Sequence, residues 1–255
     1  MNKSFILSAA LFASSLSVSA QSTPRNQLTP TPPMGWMTWN LFQGDISDKL
    51  IRETADAMVE GGYVDAGYKY IFIDDLWQGG RDVHNNMIPD PKKFPNGIKA
   101  LADYVHSKGM KLGIYSDAAQ LTCGGWTASL GFEEQDARTF ASWGIDYLKY
   151  DYCNAPIDSA TARQRYRTMA DALSKSGRDI ALGICEWGQR QCEEWCEEVG
   201  GQLWRTTYDV RDMWKDVTNE GGMGILDIVN ITSPLSSYAR KGQWPDMDML
   251  VVGLH

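Results

Sequence analysis

The feature that most constrains this fold is a regular alternation of short apolar segments with amphipathic helices. Ser47 is a candidate N-cap for the first of these helices, and an apolar strand is predicted at 70–73. The apolar residues of that helix lie on one face at helical spacing: Leu50, Ile51, Ala55, Met58 and Val59. The arrangement of apolar residues therefore changes from helical spacing to a short, continuous strand-like run within about thirty residues.

The same alternation continues along the rest of the chain. Strands are predicted at 35–39, 70–73, 111–115, 147–150, 180–185 and 203–206, with a seventh around Trp244. Further helices are predicted near 98–107, 133–143, 161–174 and 210–217. Strands that alternate with helices indicate parallel βαβ units, which places the chain in the α/β class.

Polar side chains gather where these strands end, and this placement narrows the architecture. They are Asp74, Asp75, Asp117, Asp151, Glu186, Arg205 and Asp209. A (β/α)8 TIM barrel collects its active site at the C-terminal ends of its strands, so we expect that fold over residues 31–255. About seven of eight strands are predicted, and we expect an incomplete barrel, truncated before the last strand. No glycine-rich nucleotide motif follows any strand, so no cofactor is expected.

The first thirty residues differ from the barrel sequence. Lys3 precedes an apolar run at 5–18, and a small-x-small pattern ends at Ala20, which predicts a signal peptide over 1–20 and export to the periplasm or beyond. Residues 21–30 form a polar linker. No other long apolar run exists, so no membrane association is expected after cleavage. The net charge of −8 makes nucleic acid an improbable partner, and the sequence carries no signal for an oligomeric state.

The tripeptide Lys149-Tyr150-Asp151 is a candidate for covalent catalysis. Strand periodicity places Lys149 and Asp151 on the same face. A nearby positive charge lowers the pKa of a carboxyl group, so Lys149 would keep Asp151 ionised, as a nucleophile requires. A structural ion pair inside the barrel is the alternative interpretation.

A second carboxyl group follows the sixth strand. Arg205 ends that strand, and Asp209 could face Asp151 across the mouth of the barrel. Two carboxyl groups in different environments are the residues that glycoside hydrolysis requires. The alternatives for Asp209 are a surface salt bridge or the N-cap of the predicted helix at 210–217.

The remaining candidates favour sugar binding over metal binding. Asp74 and Asp75 could accept hydrogen bonds from sugar hydroxyls; a loop turn, or a metal site shared with Asp246 and Asp248, is the alternative. No EF-hand spacing is present, and the three histidines are far apart, so no metal is expected. Trp36 and Trp39 flank the first strand end, where they could contact a sugar face or belong to the core.

Five cysteines leave at least one unpaired within the chain. Export makes disulfides possible. Cys185 could pair with Cys192 or Cys196, and the sequence does not decide between these partners.

Several segments, in the same order, resemble the melibiase family, glycoside hydrolase family 27. They read TPPMGWMTWN at 31–40, YIFIDDLWQGGRD at 70–82, FPNGIKALADYVHSKGMKLGIY at 94–115 and DARTFASWGIDYLKYDYC at 136–153. WRTTYD at 204–209 and WPDMDM at 244–249 match more loosely. Two departures are Leu76 in place of a common cysteine and a displaced proline at Pro245.

The resemblance implies a (β/α)8 barrel, followed in the family by a β-sandwich domain, and retaining α-galactosidase activity. It implies that Asp151 is the nucleophile and Asp209 the general acid/base, with carboxyl groups about 5–5.5 Å apart. It places the substrate-binding positions at Trp39, Asp74, Asp75, Tyr115, Lys149, Glu186, Arg205, Asp248 and Met249. It also implies a disulfide between Cys123 and Cys153, and no cofactor.

The expected substrate is thus a terminal α-D-galactoside. The lack of small residues after Glu186 favours galactose over α-N-acetylgalactosamine, while β-L-arabinopyranose is a further alternative glycone. A galactose-binding pseudoenzyme, or an inert fragment, is the alternative from another functional class.

Overall fold

The structure is a computed structural model that describes residues 23–218 and 221–252. In chain order its strands are β1 (Gly35–Met37), β2 (Tyr70–Phe72), β3 (Gln78–Arg81), β4 (Met87–Pro89), β5 (Lys111–Asp117), β6 (Tyr147–Asp151), β7 (Ala181–Cys185), β8 (Leu203–Arg205) and β9 (Trp244–Asp246). Its α-helices are α1 (Trp39–Phe42), α2 (Asp48–Glu60), α3 (Gly97–Ser107), α4 (Glu133–Trp143), α5 (Ser159–Lys175), α6 (Cys192–Val199) and α7 (Ile225–Thr232). The predicted signal peptide lies outside the described residues.

Seven of the strands pair in parallel into one sheet, in the order β1-β2-β5-β6-β7-β8-β9. The longest ladder joins β5 to β6 and sets Asp117 opposite Asp151. Residues from both edge strands, β1 and β9, line one cavity of about 150 Å³, so the sheet curls back towards itself. The prediction of a parallel α/β barrel with seven strands in this chain is therefore confirmed for the described residues.

The first βα unit shows how the sequence determines local structure. The Ser47 hydroxyl accepts a hydrogen bond from the Leu50 N–H at 3.2 Å, which satisfies one free donor at the start of α2 and is worth about 1 kcal/mol. Ile51, Ala55 and Met58 are buried against the sheet, as their spacing predicts. Val59 lies at the edge of that face and is exposed.

The prediction of a helix at 210–217 is wrong. Apolar residues there fit helical spacing, but the backbone pairs with a later segment instead: Arg211 N–H donates to the Met223 carbonyl at 2.8 Å, and Ile225 N–H donates to the Met213 carbonyl at 3.1 Å. Val210 and Val217 each form an isolated bridge with Met223. Since Asp209 does not precede a helix, the N-cap interpretation of this residue is also wrong.

Other elements differ from the sequence-based expectation. The first strand ends at Met37, and α1 begins at Trp39. The antiparallel hairpin of β3 and β4, together with α6 and α7, was not predicted. Trp36 packs against the hydrophobic core, as its alternative interpretation proposed.

The three cysteines with undecided pairing are all buried free thiols, so neither proposed disulfide of Cys185 forms. Cys192 and Cys196 lie one turn apart on α6 and face β8, where their thiols contact the carbonyl oxygens of Arg205 and Leu203. Cys192 and Cys196 thus belong to the buried face of α6, which accounts for two cysteines that had no assigned role.

The second half of the predicted linker packs against the barrel. Arg25, in a 3-10 turn at Arg25–Gln27, donates to the Gly200 carbonyl at 2.8 Å. Thr29 is buried, and its carbonyl accepts a hydrogen bond from the Trp244 indole at 2.9 Å. These contacts join residues 25–29 to the loop before β8 and to β9.

Candidate active site

A cavity of about 230 Å³ opens at the C-terminal ends of the strands. It is lined by these residues of the predicted site: Trp39, Asp74, Asp75, Tyr115, Cys123, Lys149, Asp151, Cys153, Arg205, Asp209, Asp248 and Met249. Parallel strands bring these residues together because their carboxyl ends meet at one rim of the sheet. Residues far apart in sequence therefore share one small cavity, and many of them are charged.

Asp151 ends β6, is buried and lines this cavity. The Tyr115 hydroxyl donates to its Oδ2 at 3.1 Å, and the Tyr152 N–H donates to its Oδ1 at 3.0 Å. Burial raises the pKa of Asp151 to about 6, and the charge of Lys149 acts in the opposite direction. The expected influence of Lys149 is thus present, but burial outweighs it.

Lys149 makes its direct ion pair with a different carboxylate. Its Nζ lies 2.7 Å from Asp74 Oδ2, and both side chains are largely buried. Burial disfavours the ammonium form, but the surrounding negative charges, Asp74 first and Asp151 among the others, together outweigh it and hold the pKa of Lys149 well above its ordinary value. The pair fixes one wall of the cavity as a neutral, hydrogen-bonded unit.

Backbone donors fix the adjacent carboxylate. Asp75 Oδ2 accepts from the Gly124 N–H at 2.8 Å, and its Oδ1 accepts from the Leu76 N–H at 2.7 Å. Burial nevertheless raises the pKa of Asp75. The turn after β2 places the side chains of Asp74 and Asp75 at the cavity. Their hydrogen bonds and the ion pair with Lys149 hold both side chains in fixed positions.

Arg205 organises the opposite side of the cavity. Its buried guanidinium lies 2.9 Å from Asp209 Oδ1 and also forms an ion pair with Asp248. The Val210 N–H donates to Asp248 at 2.8 Å. Asp209 thus forms a salt bridge, as one alternative interpretation proposed, but its partner Arg205 is only 2% exposed, while the Asp209 side chain is 42% exposed.

A disulfide joins Cys123 to Cys153, the pairing that the family resemblance implies. It links the loops that follow β5 and β6, next to the Tyr115 hydroxyl, which lies 3.2 Å from Cys123 Sγ. Among the described residues, one cluster brings four potential metal-ligand atoms within 4.8 Å: Asp117, Cys123, Asp151 and Cys153. Two of these atoms are the disulfide sulfurs, which are not thiolate ligands.

Glu186 is the one predicted binding residue that does not line the cavity. Its side chain is fully buried, and the Arg190 guanidinium donates to it at 2.9 Å. Burial raises the pKa of Glu186 to about 7. Glu186 directly follows β7, where its carboxyl group pairs with Arg190 and does not line the cavity.

The cavity also contains residues that the sequence analysis did not select: Trp187, Tyr208, Arg211, Gly221 and Gly222. Trp187 follows β7, and Tyr208 directly precedes Asp209, so attention to aromatic residues near strand ends would have found both. Arg211 belongs to the segment that was predicted as a helix, and Gly221 and Gly222 belong to the later segment that pairs with it. Their place in the site depends on that tertiary pairing.

Asp117 is a further residue that the sequence placed at a strand end without a role. It lies opposite Asp151 in the β5–β6 ladder and is fully buried. Its Oδ2 accepts from the Cys153 N–H at 2.9 Å, while its Oδ1 has no partner among the described residues. Burial, together with the charge of Asp151, raises the pKa of Asp117 to about 9, so its carboxyl group is protonated at neutral pH.

The parallel sheet and the polar cavity at the C-terminal ends of its strands define the chain as a protein of the (β/α)8 barrel class. The chain matches the family model described as alpha galactosidase A (Melibiase_2) over residues 31–255, and it belongs to this family.

Relatives and solved structures agree with this assignment. Alpha-galactosidase A of Cellvibrio japonicus is 48% identical, over 99% of this chain and 63% of the relative. The crystal structure of alpha-galactosidase I from Mortierella vinacea is 40% identical, with a TM-score of 0.86 over 90% of this chain and 62% of that one. The structure of the Saccharomyces cerevisiae α-galactosidase with raffinose is 36% identical, with a TM-score of 0.87 over 92% of this chain and 56% of that one. The chain thus spans more than half, but less than two thirds, of the length of these proteins.

Within residues 23–218 and 221–252, no helix has the length and apolar character needed to cross a membrane.

Proposed function

We propose that this chain carries the catalytic barrel of a retaining α-galactosidase, which releases terminal α-D-galactose from oligosaccharides or glycans through a covalent glycosyl-enzyme. One observation carries the proposal: a single cavity holds the buried, positioned carboxyl group of Asp151 and the more exposed carboxyl group of Asp209. Different environments allow two carboxyl groups to act as nucleophile and as acid. The α-galactosidase relatives support the choice of substrate.

In the first step, a carboxylate oxygen of Asp151 attacks the anomeric carbon of galactose. The bond to the leaving oxygen breaks, its electron pair stays on that oxygen, and Asp209 donates the proton. Tyr115 and the Tyr152 N–H hold the two oxygens of Asp151, so the nucleophile is already oriented when substrate binds.

In the second step, water attacks the anomeric carbon of the glycosyl-enzyme and Asp209 accepts a proton from this water. The bond to Asp151 breaks, which restores the carboxylate and releases galactose with its original configuration. The Arg205 guanidinium, 2.9 Å from Asp209 Oδ1, holds the carboxyl group of Asp209 in position during both steps. None of these steps needs a metal ion or a cofactor.

We further propose that the polar wall of the cavity recognises the hydroxyl groups of galactose. Asp74, Asp75 and Asp248 supply acceptors, and Lys149 supplies a donor, all in fixed positions. Trp39 and Met249 contribute apolar surface to the same cavity. Glu186 is assigned no direct contact with substrate, because it does not line the cavity.

The proposal is tested by assaying the purified chain and its Asp151→Ala variant on p-nitrophenyl α-galactoside, with the α-N-acetylgalactosaminide and β-L-arabinopyranoside beside it. Turnover of the α-galactoside that vanishes in the variant supports the proposal. Turnover of another glycoside alone would assign a different glycone. If the folded chain binds galactose but hydrolyses none of the three substrates, the proposal is wrong and the chain is a sugar-binding barrel.

We also propose that the protein is exported and that signal cleavage at Ala20 leaves a mature chain beginning at Gln21, with a linker to residue 30 and the barrel from residue 31. The disulfide of Cys123 and Cys153 supports an oxidising compartment. N-terminal sequencing of protein from an exporting host should begin at Gln21. A chain that retains its first twenty residues would contradict this assignment.

A further inference from the structure

Arg211 is a cation at the cavity that the proposed mechanism does not use. It lines the cavity together with Lys149 and Arg205, and each of those two forms an ion pair with an aspartate of the same cavity. Among the described residues, the Arg211 guanidinium has neither an ion-pair partner nor a hydrogen-bond partner. An arginine side chain keeps its charge in proteins and carries five N–H donors. An unpaired positive charge is therefore available to a ligand of the cavity.

The backbone around Asp209 determines where this cation lies. The Met223 N–H donates to the Asp209 carbonyl at 2.8 Å, and the Arg211 N–H donates to the Met223 carbonyl at 2.8 Å, which forms a parallel bridge centred on Val210. Val210 is buried with Met223 and Ile228. Because side chains alternate along extended backbone, Asp209 and Arg211 lie on the opposite side from Val210, and both line the cavity.

Gly222 gives the Arg211 side chain its place beside the backbone. A Cβ atom on Gly222 would lie 2.6 Å from both Cγ and Nε of Arg211, so the arginine side chain lies directly against this glycine. The neighbouring acid, Asp209, already forms its ion pair with Arg205 at 2.9 Å. Packing rather than a salt bridge thus holds Arg211 at the cavity, and its guanidinium remains available for binding.

The position of Arg211 relates it to the leaving group of the substrate. In the proposed function Asp209 gives its proton to the leaving oxygen, so the leaving group lies beside Asp209. Arg211 is two residues further along the same extended segment and on the same side, a rise of about 7 Å. The guanidinium is therefore placed to contact a substituent of the leaving group.

The charges of the cavity indicate which kind of substituent fits. The lining contains three cations and five carboxyl groups, which are Asp74, Asp75, Asp151, Asp209 and Asp248. A dianion such as a phosphate monoester would meet more repulsion from these groups than a singly charged carboxylate. A carboxylate also matches the guanidinium in bidentate geometry, and such charge-assisted hydrogen bonds are about twice as strong as neutral ones. A carboxylate is thus the best partner for Arg211.

We propose that Arg211 is a specificity residue that binds a carboxylate on the leaving group, so that the chain acts on terminal α-galactose linked to an acidic unit, such as a uronic or aldonic acid. This inference rests on the proposed function and names a substrate class for the same site. A neutral leaving group offers Arg211 only neutral acceptors, so it gains less from the same contact.

The test compares 2-O-α-galactosyl glycerate with 2-O-α-galactosyl glycerol, which has a hydroxymethyl group in place of the carboxylate. Arg211→Gln should lower the ratio of kcat/KM for the glycerate to kcat/KM for the glycerol about tenfold, which corresponds to about 1.4 kcal/mol. An effect of the substitution on Asp209 acts on both substrates and cancels in this ratio. Arg211→Lys keeps the charge and should retain part of the preference. Arg138→Gln is the matched control and should leave the ratio unchanged, because Arg138 is exposed and does not line the cavity.

A second variant and a salt series keep the inference open to refutation if Arg211→Gln fails to fold. Gly222→Ala leaves the charge in place but displaces the Arg211 side chain, so it should also lower the ratio. Raising the ionic strength from about 0.1 M to about 1 M shortens the Debye length from about 10 Å to about 3 Å, so the ratio of the unmodified chain should fall.

Two results would overturn the carboxylate site and leave the proposed function intact. The first is a ratio that neither the variants of Arg211 and Gly222 nor salt changes. The second is a chain that hydrolyses p-nitrophenyl α-galactoside but not the glycerate. A folded chain that hydrolyses none of these galactosides would overturn both the carboxylate site and the proposed function.

Discussion

The buried ion pair of Lys149 and Asp74 permits a prediction in which stability and catalysis respond in different ways. Lys149→Met removes the ammonium group and leaves Asp74 buried without its partner at 2.7 Å. It also removes the largest influence that opposes burial in setting the pKa of Asp151. One substitution should therefore weaken the fold and change the pH dependence of the nucleophile.

The size of each effect follows from the geometry. Two unit charges 2.7 Å apart attract with about 6 kcal/mol at an effective dielectric constant of about 20. Removing one member of a buried pair costs about 3–5 kcal/mol, because the remaining charge is left desolvated. An opposite charge near a carboxyl group lowers its pKa by about one unit or more. Without Lys149, the pKa of Asp151 should rise above about 6 by that amount.

The assay combines urea unfolding with the pH profile of kcat/KM for p-nitrophenyl α-galactoside. Asp151 must be ionised to attack, so activity of the unmodified chain should fall as the pH drops through about 6. In Lys149→Met this fall should begin at a higher pH. Lys99→Met removes an exposed pair with Asp103 and should change the free energy of unfolding by less than about 0.5 kcal/mol.

The double variant Lys149→Met/Asp74→Asn separates the two effects. It leaves no unpaired charge, so most of the lost stability should return. The charge of Asp74 itself raises the pKa of Asp151, so the acid limit should move back only part of the way. A double variant as unstable as the single one, or a single variant with an unchanged acid limit, would refute the reasoning.

Three further variants have defined expected outcomes. Asp117→Asn should keep the acid limit of kcat/KM, since Asp117 already carries a proton, whereas a downward shift of that limit would show that it is ionised. The raised pKa of Asp117, about 9, should also make the folded state lose stability as the pH rises from about 4 to about 9, and Asp117→Asn should make this decline smaller in urea unfolding. Replacing Cys123 and Cys153 by serine opens a loop of sequence separation 30 and should cost about 3–4 kcal/mol in the same assay; a loss below about 1 kcal/mol would contradict the disulfide's role. Asp209→Asn should slow methyl α-galactoside, whose leaving oxygen needs a proton, far more than p-nitrophenyl α-galactoside, and equal losses would exclude Asp209 as the acid.

Local sequence signals identified the elements whose packing agrees with their own periodicity. The helix predicted at 133–143 has the bounds of α4, because its buried residues recur at helical spacing and Gly144 ends it in the left-handed conformation. The strand predicted at 147–150 differs from β6 by one residue. In such elements the intrinsic preference and the tertiary environment favour the same structure.

The errors occur where long-range pairing decides the structure. The segment at 210–217 has helical spacing, yet its backbone groups pair with residues 222–226, and no local pattern records that partner. The same pairing brings Arg211 and Gly222 to the cavity. The substrate-binding role that the resemblance implies for Glu186 stays a prediction, and the contact of Glu186 with Arg190 depends on the strained turn that follows it.

The candidate site was predictable in its charged part and less so in its aromatic part. Carboxylates at the C-terminal ends of parallel strands indicate a barrel active site. A charged group is costly to bury, so it is retained there where it pairs with another group or takes part in the function. Asp117 was found by position, but its protonated state depends on the register that sets it opposite Asp151. Trp187 depends on a backbone conformation that sequence patterns do not favour for tryptophan.

The central claim is that Asp151 forms a covalent bond to galactose, and trapping of the glycosyl-enzyme tests it most directly. The purified chain is incubated with 2-deoxy-2-fluoro-α-galactosyl fluoride, a slow substrate with a good leaving group, and its peptides are analysed by mass spectrometry. The account predicts one added fluorogalactosyl group on the peptide that contains Asp151, and none in Asp151→Ala. A label on another carboxyl group, or an active enzyme that is never labelled, would contradict it.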